Sequence, residues 1–272
     1  MYKRIIYPAL NTAQWYREYM EQVSFAEQPS SSWDKRAHSM QKKGNSSSKY
    51  LDFFIDSMSL DGVSTVLDVG SGTGTLALHL APQVEHVYCL DYSRVMLDYV
   101  ELNAREAGLD NISTIHLSKE DDWQGVVPEV DVLLSSRSGL DADIQCLFEK
   151  FHCYAKRHVY FSYLVGGRFD QPEISKLLNQ EKKPFADYIH IINILYEMGI
   201  DPELSFVSAP GRLQSCKDEE HFIELVATRY GELGVSEISA LRDFYQKEHA
   251  HFIKDKYAMK WALINWPVPE KE

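Results

Sequence analysis

The sequence predicts an α/β fold: a doubly wound, seven-stranded, mostly parallel sheet with an N-terminal helical cap and a helical insertion before the last strand. Three observations carry that expectation. Short apolar runs alternate with amphipathic stretches from Lys49 to Leu164. A glycine-rich turn, Gly70-Ser71-Gly72-Thr73-Gly74, directly follows the first of those runs. Val130–Ser135 is apolar on both faces, as a strand covered by helices on each side must be.

The elements follow in order. Ala13–Val23 reads as a short amphipathic helix carrying Trp15, Tyr16 and Tyr19. Gln28–Ser32 and Lys42–Ser48 have loop compositions, with a helical turn at Trp33–Ala37 between them. Residues 1–48 therefore form an appendage to a main body spanning 49–272. In that body Tyr50, Phe53, Phe54 and Met58 have helical spacing. Strands are expected at Thr65–Val69, His86–Leu90, Ile112–Leu117, Val130–Ser135 and His158–Leu164. Helices at Gly74–Leu80, Val95–Ala107 and Ile144–Ala155 alternate with them, which requires parallel strands and right-handed crossovers. Pro184–Met198 is a strongly apolar helix closed by Gly199. Leu204–Ser208 and Ala258–Asn265 are the last two strands. The insertion between them, about 214–257, reads as helices at Asp218–Tyr230 and Glu237–Tyr257.

The 272 residues suit one elaborated domain, and 44% hydrophobic with 25% charged residues is an ordinary globular balance. A net charge of −12 disfavours nucleic acid as a partner, because the basic pairs Lys42-Lys43 and Lys182-Lys183 make no stripe against a phosphate backbone. Neither a secretory leader nor a membrane-length apolar run is present in the sequence, so no membrane partner and a cytoplasmic location are expected. Cys89, Cys146, Cys153 and Cys216 contain no C-x-x-C pair and read as buried, reduced residues, with Cys146 and Cys153 on one helix face. His249 and His251 lack a third ligand at suitable spacing, so no metal is expected. Oligomeric state leaves no signal in the sequence.

The glycine turn admits three ligand classes. A phosphate-cradling loop would end in Gly-Lys-Ser or Gly-Lys-Thr, but Thr75 and Leu76 follow Gly74. A dinucleotide turn would place its third glycine at 75, one residue after Gly74. S-adenosylmethionine has no phosphate; it requires close backbone approach, an acid near its ammonium group and an acid for its ribose diol. Asp68 precedes the glycines, and Asp91 ends the second strand. Asp91 alone would serve NAD equally well.

Taken together, "VLDVGSGTG", "YCLDYSRVMLDYVELNA", "ISTIHLSKEDDW" and "VDVLLSSRSGL" resemble the class I S-adenosylmethionine-dependent methyltransferases over about residues 49–165. The resemblance implies a Rossmann-like methyltransferase fold with an antiparallel seventh strand, S-adenosyl-L-methionine as cofactor and methyl transfer as the activity. It implies that Gly70, Ser71, Gly72 and Gly74 hold the methionine part, with Asp68 nearby. Asp91 would take the ribose, Tyr92 would pack on the adenine, and Asp121, favoured over Glu120 and Asp122, would meet its amino group. Trp123 is a further candidate for the adenine ring. Ser135, Ser136 and Arg137, at the end of the fourth strand, would face the methyl group and the acceptor. The Asn/Asp-Pro-Pro-aromatic motif of base-amine methyltransferases is replaced here by Ser-Ser-Arg-Ser.

Methyl transfer from a sulfonium needs alignment and dryness more than acid–base machinery. Catalytic candidates are Arg137, as a fork for a carboxylate or phosphate, and Tyr50 and His38, as base or orienter. His190, His249 and His251 are further histidines of that kind. The aromatic-rich cap reads as a lid whose Trp33, with Tyr50, offers ring faces to a cation. A chain lacking residues 1–45 is then expected to fold and bind cofactor while transferring little. A small-molecule acceptor is the first expectation. A protein or RNA methyltransferase, a non-catalytic S-adenosylmethionine-binding regulator and an NAD-linked oxidoreductase are the alternatives.

Overall fold

The computed structural model describes residues 11–23, 29–43, 48–252 and 257–268. Gln28 and Gly44–Ser47, expected hinge residues, lie outside them. Seven strands form one sheet: β1 (Thr65–Val69), β2 (His86–Asp91), β3 (Ile112–His116), β4 (Val130–Ser135), β5 (Ala155–Leu164), β6 (Glu203–Ala209) and β7 (Met259–Pro267). Their spatial order is β3-β2-β1-β4-β5-β7-β6. Strands β1 to β5 run parallel, and β7 is antiparallel to both its neighbours, β5 and β6. The chain winds outward from β1 to β3 and then returns to the other side of β1 with β4. That reversal opens a crevice beyond the carboxyl ends of β1 and β4, where open α/β sheets bind ligands.

Helices cover both faces. On one, α1 (Thr12–Gln22), α6 (Ile144–Tyr154) and α8 (Tyr188–Glu197) pack through Tyr16, Met20, Phe148, Phe151 and Ile191 against Val159, Phe161 and Trp266. On the other, α3 (Lys49–Asp56), α4 (Thr75–Leu80) and α5 (Arg94–Glu106) pack through Phe54, Leu80, Leu97 and Val100 against Val66, Val87 and Leu134. The insertion, α9 (Glu219–Tyr230) and α10 (Val235–Glu248), forms a small core with α7 (Pro172–Leu177) around Phe222, Leu241 and Tyr257.

Several boundaries differ from the sequence reading. The stretch expected to be loop, one helical turn and loop is largely a fourteen-residue helix, α2 (Ser30–Lys43). Serines are weak helix formers, and tertiary contacts to α5 override that preference. The apolar helix starts at Tyr188 rather than Pro184, because Asp187 caps it by accepting from Tyr188 N at 2.7 Å. The short helix α7, begun by Pro172, was not foreseen. The final predicted helix ends at Glu248 and passes into a 3-10 turn at His249–His251.

The appendage is not separable in packing. Ala13, Tyr16 and Met20 belong to the main core, and Tyr16 Oη donates to Asp141 O at 3.0 Å. Removing residues 1–45 would open that core, which corrects the expectation of an intact truncated binder. Of the cysteines only Cys89 is buried; Cys146 and Cys153 are exposed on one side of α6, and Cys216 is intermediate. Among the described residues no helix is long and apolar enough to cross a membrane.

Phe148 is fully buried, with Phe161 and Trp266 edge-on at 5.1 and 5.2 Å. Phe148→Ala should cost about 3–5 kcal/mol in urea unfolding, through lost transfer energy and the cavity left behind. A loss under about 1 kcal/mol would show that this face is not the packed core described.

Candidate active site

Three strand ends build the site. After β1 the chain turns through Gly70, Gly72 and Gly74, with φ of 74°, 55° and 82°. Residues with a Cβ reach this left-handed region only at a cost, so the turn is written in glycine. It hangs on β2: Gly70 N and Ser71 N donate to Leu90 O at 2.7 and 3.1 Å. Asp91, the last residue of β2, completes the attachment. Its Oδ2 accepts from Gly72 N and its Oδ1 from Ser93 N, both at 2.9 Å. The Tyr92 N–H adds a third backbone hydrogen bond to the same carboxylate, which leaves part of its acceptor capacity for a ligand.

Burial sets the charge of this corner. Asp68 and Asp91 are 2% and 6% exposed. Burial, then the neighbouring Asp91, pushes the Asp68 carboxyl up to about 8. Burial also raises Asp91, against the lowering effect of the N–H groups of Ser93 and Gly72. Asp68 Oδ1 is buried without a hydrogen-bond partner in the protein. An orphaned buried acceptor of this kind costs about 1–3 kcal/mol and marks where a donor belongs.

The exit of β4 is latched to β1. Ser138 Oγ donates to Val69 O at 2.7 Å, so Ser135 Oγ supplies the proton in its 2.8 Å bond to Ser138 Oγ. Ser135 is fully buried, and its hydroxyl holds the frame. Arg137 follows with φ 58°, its N–H donating to Ser162 Oγ at 2.8 Å. Its guanidinium lies 3.5 Å from the Tyr50 ring centroid and 5.6 Å from that of Trp261. Tyr50 Oη is 2.8 Å from both Ser136 Oγ and Ser162 Oγ. Burial raises the Tyr50 pKa, so the phenol stays protonated and is a poor base.

Helix α2 lies across α5 beside the glycine turn. Asp34 Oδ1 accepts from Ser93 Oγ at 2.6 Å, His38 Nδ1 is 2.5 Å from Tyr99 Oη, and Gln41 and Asn103 exchange two amide hydrogen bonds at 2.6 and 3.1 Å. Met40 Cε lies 3.6 Å from the place a Cβ on Gly72 would occupy. His38 thus belongs to the contact between α2 and α5 and turns to Tyr99.

The remaining candidates are distributed around the rim. Tyr92 is half-buried at the turn into α5, and its carbonyl accepts from His116 Nε2 at 3.2 Å. Asp121 is exposed after β3 and accepts from Ser118 N at 2.9 Å. Glu120 and Asp122 are exposed beside it. Trp123 is core: 1% exposed, its indole packs on Phe151 and Tyr154 and donates to Ser118 O. It therefore has no face for an adenine. The ring faces expected to meet a cation are occupied by the chain's own arginines, Arg36 over Trp33 at 4.9 Å and Arg137 over Tyr50. His190 lies tilted against Trp15, and His249 and His251 bond within their own helical end, to Tyr245 O and Glu248.

A family profile described as "Methyltransferase domain" matches residues 66–157, from β1 into β5. A protein of Haemophilus influenzae, itself uncharacterized, is 32% identical over 261 residues, covering 95% of this chain and 97% of its own. Residues 66–157 are a methyltransferase domain. S-adenosylmethionine is accordingly its cofactor. An uncharacterized RNA methyltransferase of Lactiplantibacillus plantarum is 36% identical over 100 residues, which are 35% of this chain and 22% of that protein. The solved structure of the YcgJ protein from Bacillus subtilis matches the fold with a TM-score of 0.57 at 12% identity, over 81% of this chain and 98% of that one.

Residues that the sequence did not single out adjoin the candidate site. Ser93 joins Asp91 to α2, Met40 covers the glycine turn, and Trp261 supplies the second ring under Arg137. Their roles depend on contacts between distant segments, and no local pattern marks them.

An acid whose folded-state pKa exceeds its unfolded value takes up a proton on folding, so stability falls as pH rises between the two values. For Asp68 that window runs from the ordinary 3.8 to about 8. The ligand-free protein should lose Tm across it, and Asp68→Asn, which mimics the protonated side chain, should flatten the loss in thermal melts. Parallel Tm–pH curves for the two proteins would show that Asp68 ionises normally.

Proposed function

We propose that this methyltransferase transfers its methyl group to a small-molecule acceptor held at the exits of β4 and β5. The observation that carries the reading is the position of α2: pinned to α5 by three polar pairs, it sets Met40 over the glycine turn. On the other side α1 closes the exits of β4 and β5, where Tyr16 Oη meets Asp141 O and Tyr163 Oη at 3.0 and 3.2 Å. A site covered from both sides suits a compact acceptor, and a net charge of −12 suits a nucleic acid poorly.

The residues present fit the cofactor. Glycine at 70, 72 and 74 lets the turn take its left-handed backbone, with Ser138 and Val100 packed against Gly70 and Gly74, and the orphaned Asp68 Oδ1 is an acceptor for the ammonium group of the amino-acid part. The remaining acceptor capacity of Asp91 suits the ribose diol. Tyr92 and Asp121, from the exits of β2 and β3, are the residues assigned to the adenine. Bound there, the cofactor supplies an activated methyl group. The chain's own contribution is alignment and exclusion of water. Tyr50 stays neutral, tied to Ser136 and Ser162, and positions Arg137; Arg137 is the group that faces the acceptor space. The cap is proposed to comprise residues 1–48, with α2 as its covering element.

The local likeness to an RNA methyltransferase supports a second reading, in which the acceptor is a macromolecule. One experiment separates the two. The protein is incubated with methyl-tritiated S-adenosylmethionine and a cell extract fractionated into low-mass, RNA and protein pools. Label is expected in the low-mass pool; label confined to RNA or protein would overturn the small-molecule reading.

A further inference from the structure

Arg17, Arg94, Arg168 and Arg242 each lie within 3.6 Å of a carboxylate. Arg36, Arg137, Arg212 and Arg229 are exposed and, among the described residues, none of them has such a partner. The chain carries 40 Asp and Glu against 28 Lys and Arg, so acids are not scarce. Among the described residues Arg105, in the last turn of α5, and Arg157, at the start of β5, also lack an ion pair, so it is placement that sets these four apart.

Arg137 holds a left-handed backbone, φ 58°, a region that disfavours a residue with a Cβ. Such strain persists where the surroundings enforce it and is concentrated at functional sites. Here the Ser162 hydroxyl holds the backbone, and the guanidinium lies over the Tyr50 ring and within 5.6 Å of the Trp261 ring of β7. One hydrogen bond of the guanidinium goes to Tyr50, and its other N–H groups can meet an oxyanion in two-point fashion.

The other three come from separate segments, and Arg212 follows the outer strand of the sheet, β6. Trp261 pairs in register with Val207, and β6 leaves the sheet at Ala209, three residues before Arg212. Arg36 stands one turn before Met40, the residue above the glycine turn. Arg229 lies in the last turn of α9. Arg212 is near enough to feel both: burial, then the charges of Arg229 and Arg36, pull its pKa down. An arginine remains cationic under such a shift, so the repulsion persists until an anion arrives.

We infer that the acceptor is a small organic oxyanion, with its carboxylate or phosphate forked by Arg137 and drawn in by Arg36, Arg212 and Arg229. The inference rests on the small-molecule methyltransferase reading and names the substrate class of that site. The apolar remainder of such an acceptor has Phe169 to lie on, 39% exposed and 6.4 Å from the Trp261 ring.

The test uses the full chain saturated with S-adenosylhomocysteine. Sodium pyrophosphate and sodium citrate are titrated in by calorimetry at constant ionic strength, with sodium chloride as the control. At least one should bind saturably, and the tighter of the two assigns phosphate or carboxylate. Arg137→Gln and Arg212→Gln should each weaken that anion about tenfold or more, while affinity for S-adenosylhomocysteine changes less than about twofold. Arg212 sits on an exposed turn, so its variant keeps the test valid should Arg137→Gln unfold. Anion heats no larger than those of chloride, or variants that bind as the parent does, would overturn the inference while leaving the methyltransferase assignment intact. Failure of the parent to bind S-adenosylhomocysteine would instead remove the reading beneath it. A short single-stranded RNA that binds more tightly than either anion would overturn the small-acceptor commitment.

Discussion

The site depends on one carboxylate. Asp91 takes the Gly72 N–H on one oxygen and the Ser93 N–H on the other. The first bond fixes the glycine turn against the end of β2. The second fixes the start of α5, where the Ser93 hydroxyl also accepts from Met96 N at 3.1 Å as the helix cap. That same hydroxyl donates to Asp34 and so carries the linkage to α2. Turn, helix start and cap therefore share one centre, and a change at Asp91 reaches all three.

The arrangement is electrostatically unbalanced when only protein is considered. Two buried acids face one corner, and one has an oxygen with no donor. Across the strand exits, arginines gather without acids. On the acid side burial holds Asp68 protonated through neutral pH, and its orphaned oxygen still lacks a donor; on the other side the exposed arginines stay charged in water. A ligand pair with cationic and diol groups on the acid side and an anionic group on the arginine side would satisfy both. Strain and unmet polar atoms at a site, held by a well-packed frame, are what a preorganised binding surface looks like before binding.

Much of this was legible in the sequence, for local reasons. The alternation of apolar runs and amphipathic stretches locates all seven strands, since each pattern reflects burial within one element. Glycines at 70, 72 and 74 announce positive φ. Asp68 and Asp91 are marked by position next to strand ends. What escaped has distant causes. Ser30-Ser31-Ser32 and Lys42-Lys43 have loop composition, yet they are helical because Asp34, His38 and Gln41 find partners on α5. Trp123 reads as a ring beside a site and is core. Arg36, Arg212 and Arg229 come from three segments, and nothing in the sequence tells them from solvated charges.

The central claim is that the cofactor's sugar lies against Asp91, and calorimetry tests it directly. S-adenosylhomocysteine titrated into the parent protein should give a saturable heat. Asp91→Asn should weaken binding about a hundredfold, as expected for loss of charge-assisted bonds to two hydroxyls. No heat in the parent, a clean NADH titration in its place, or unchanged affinity in the variant would contradict the account.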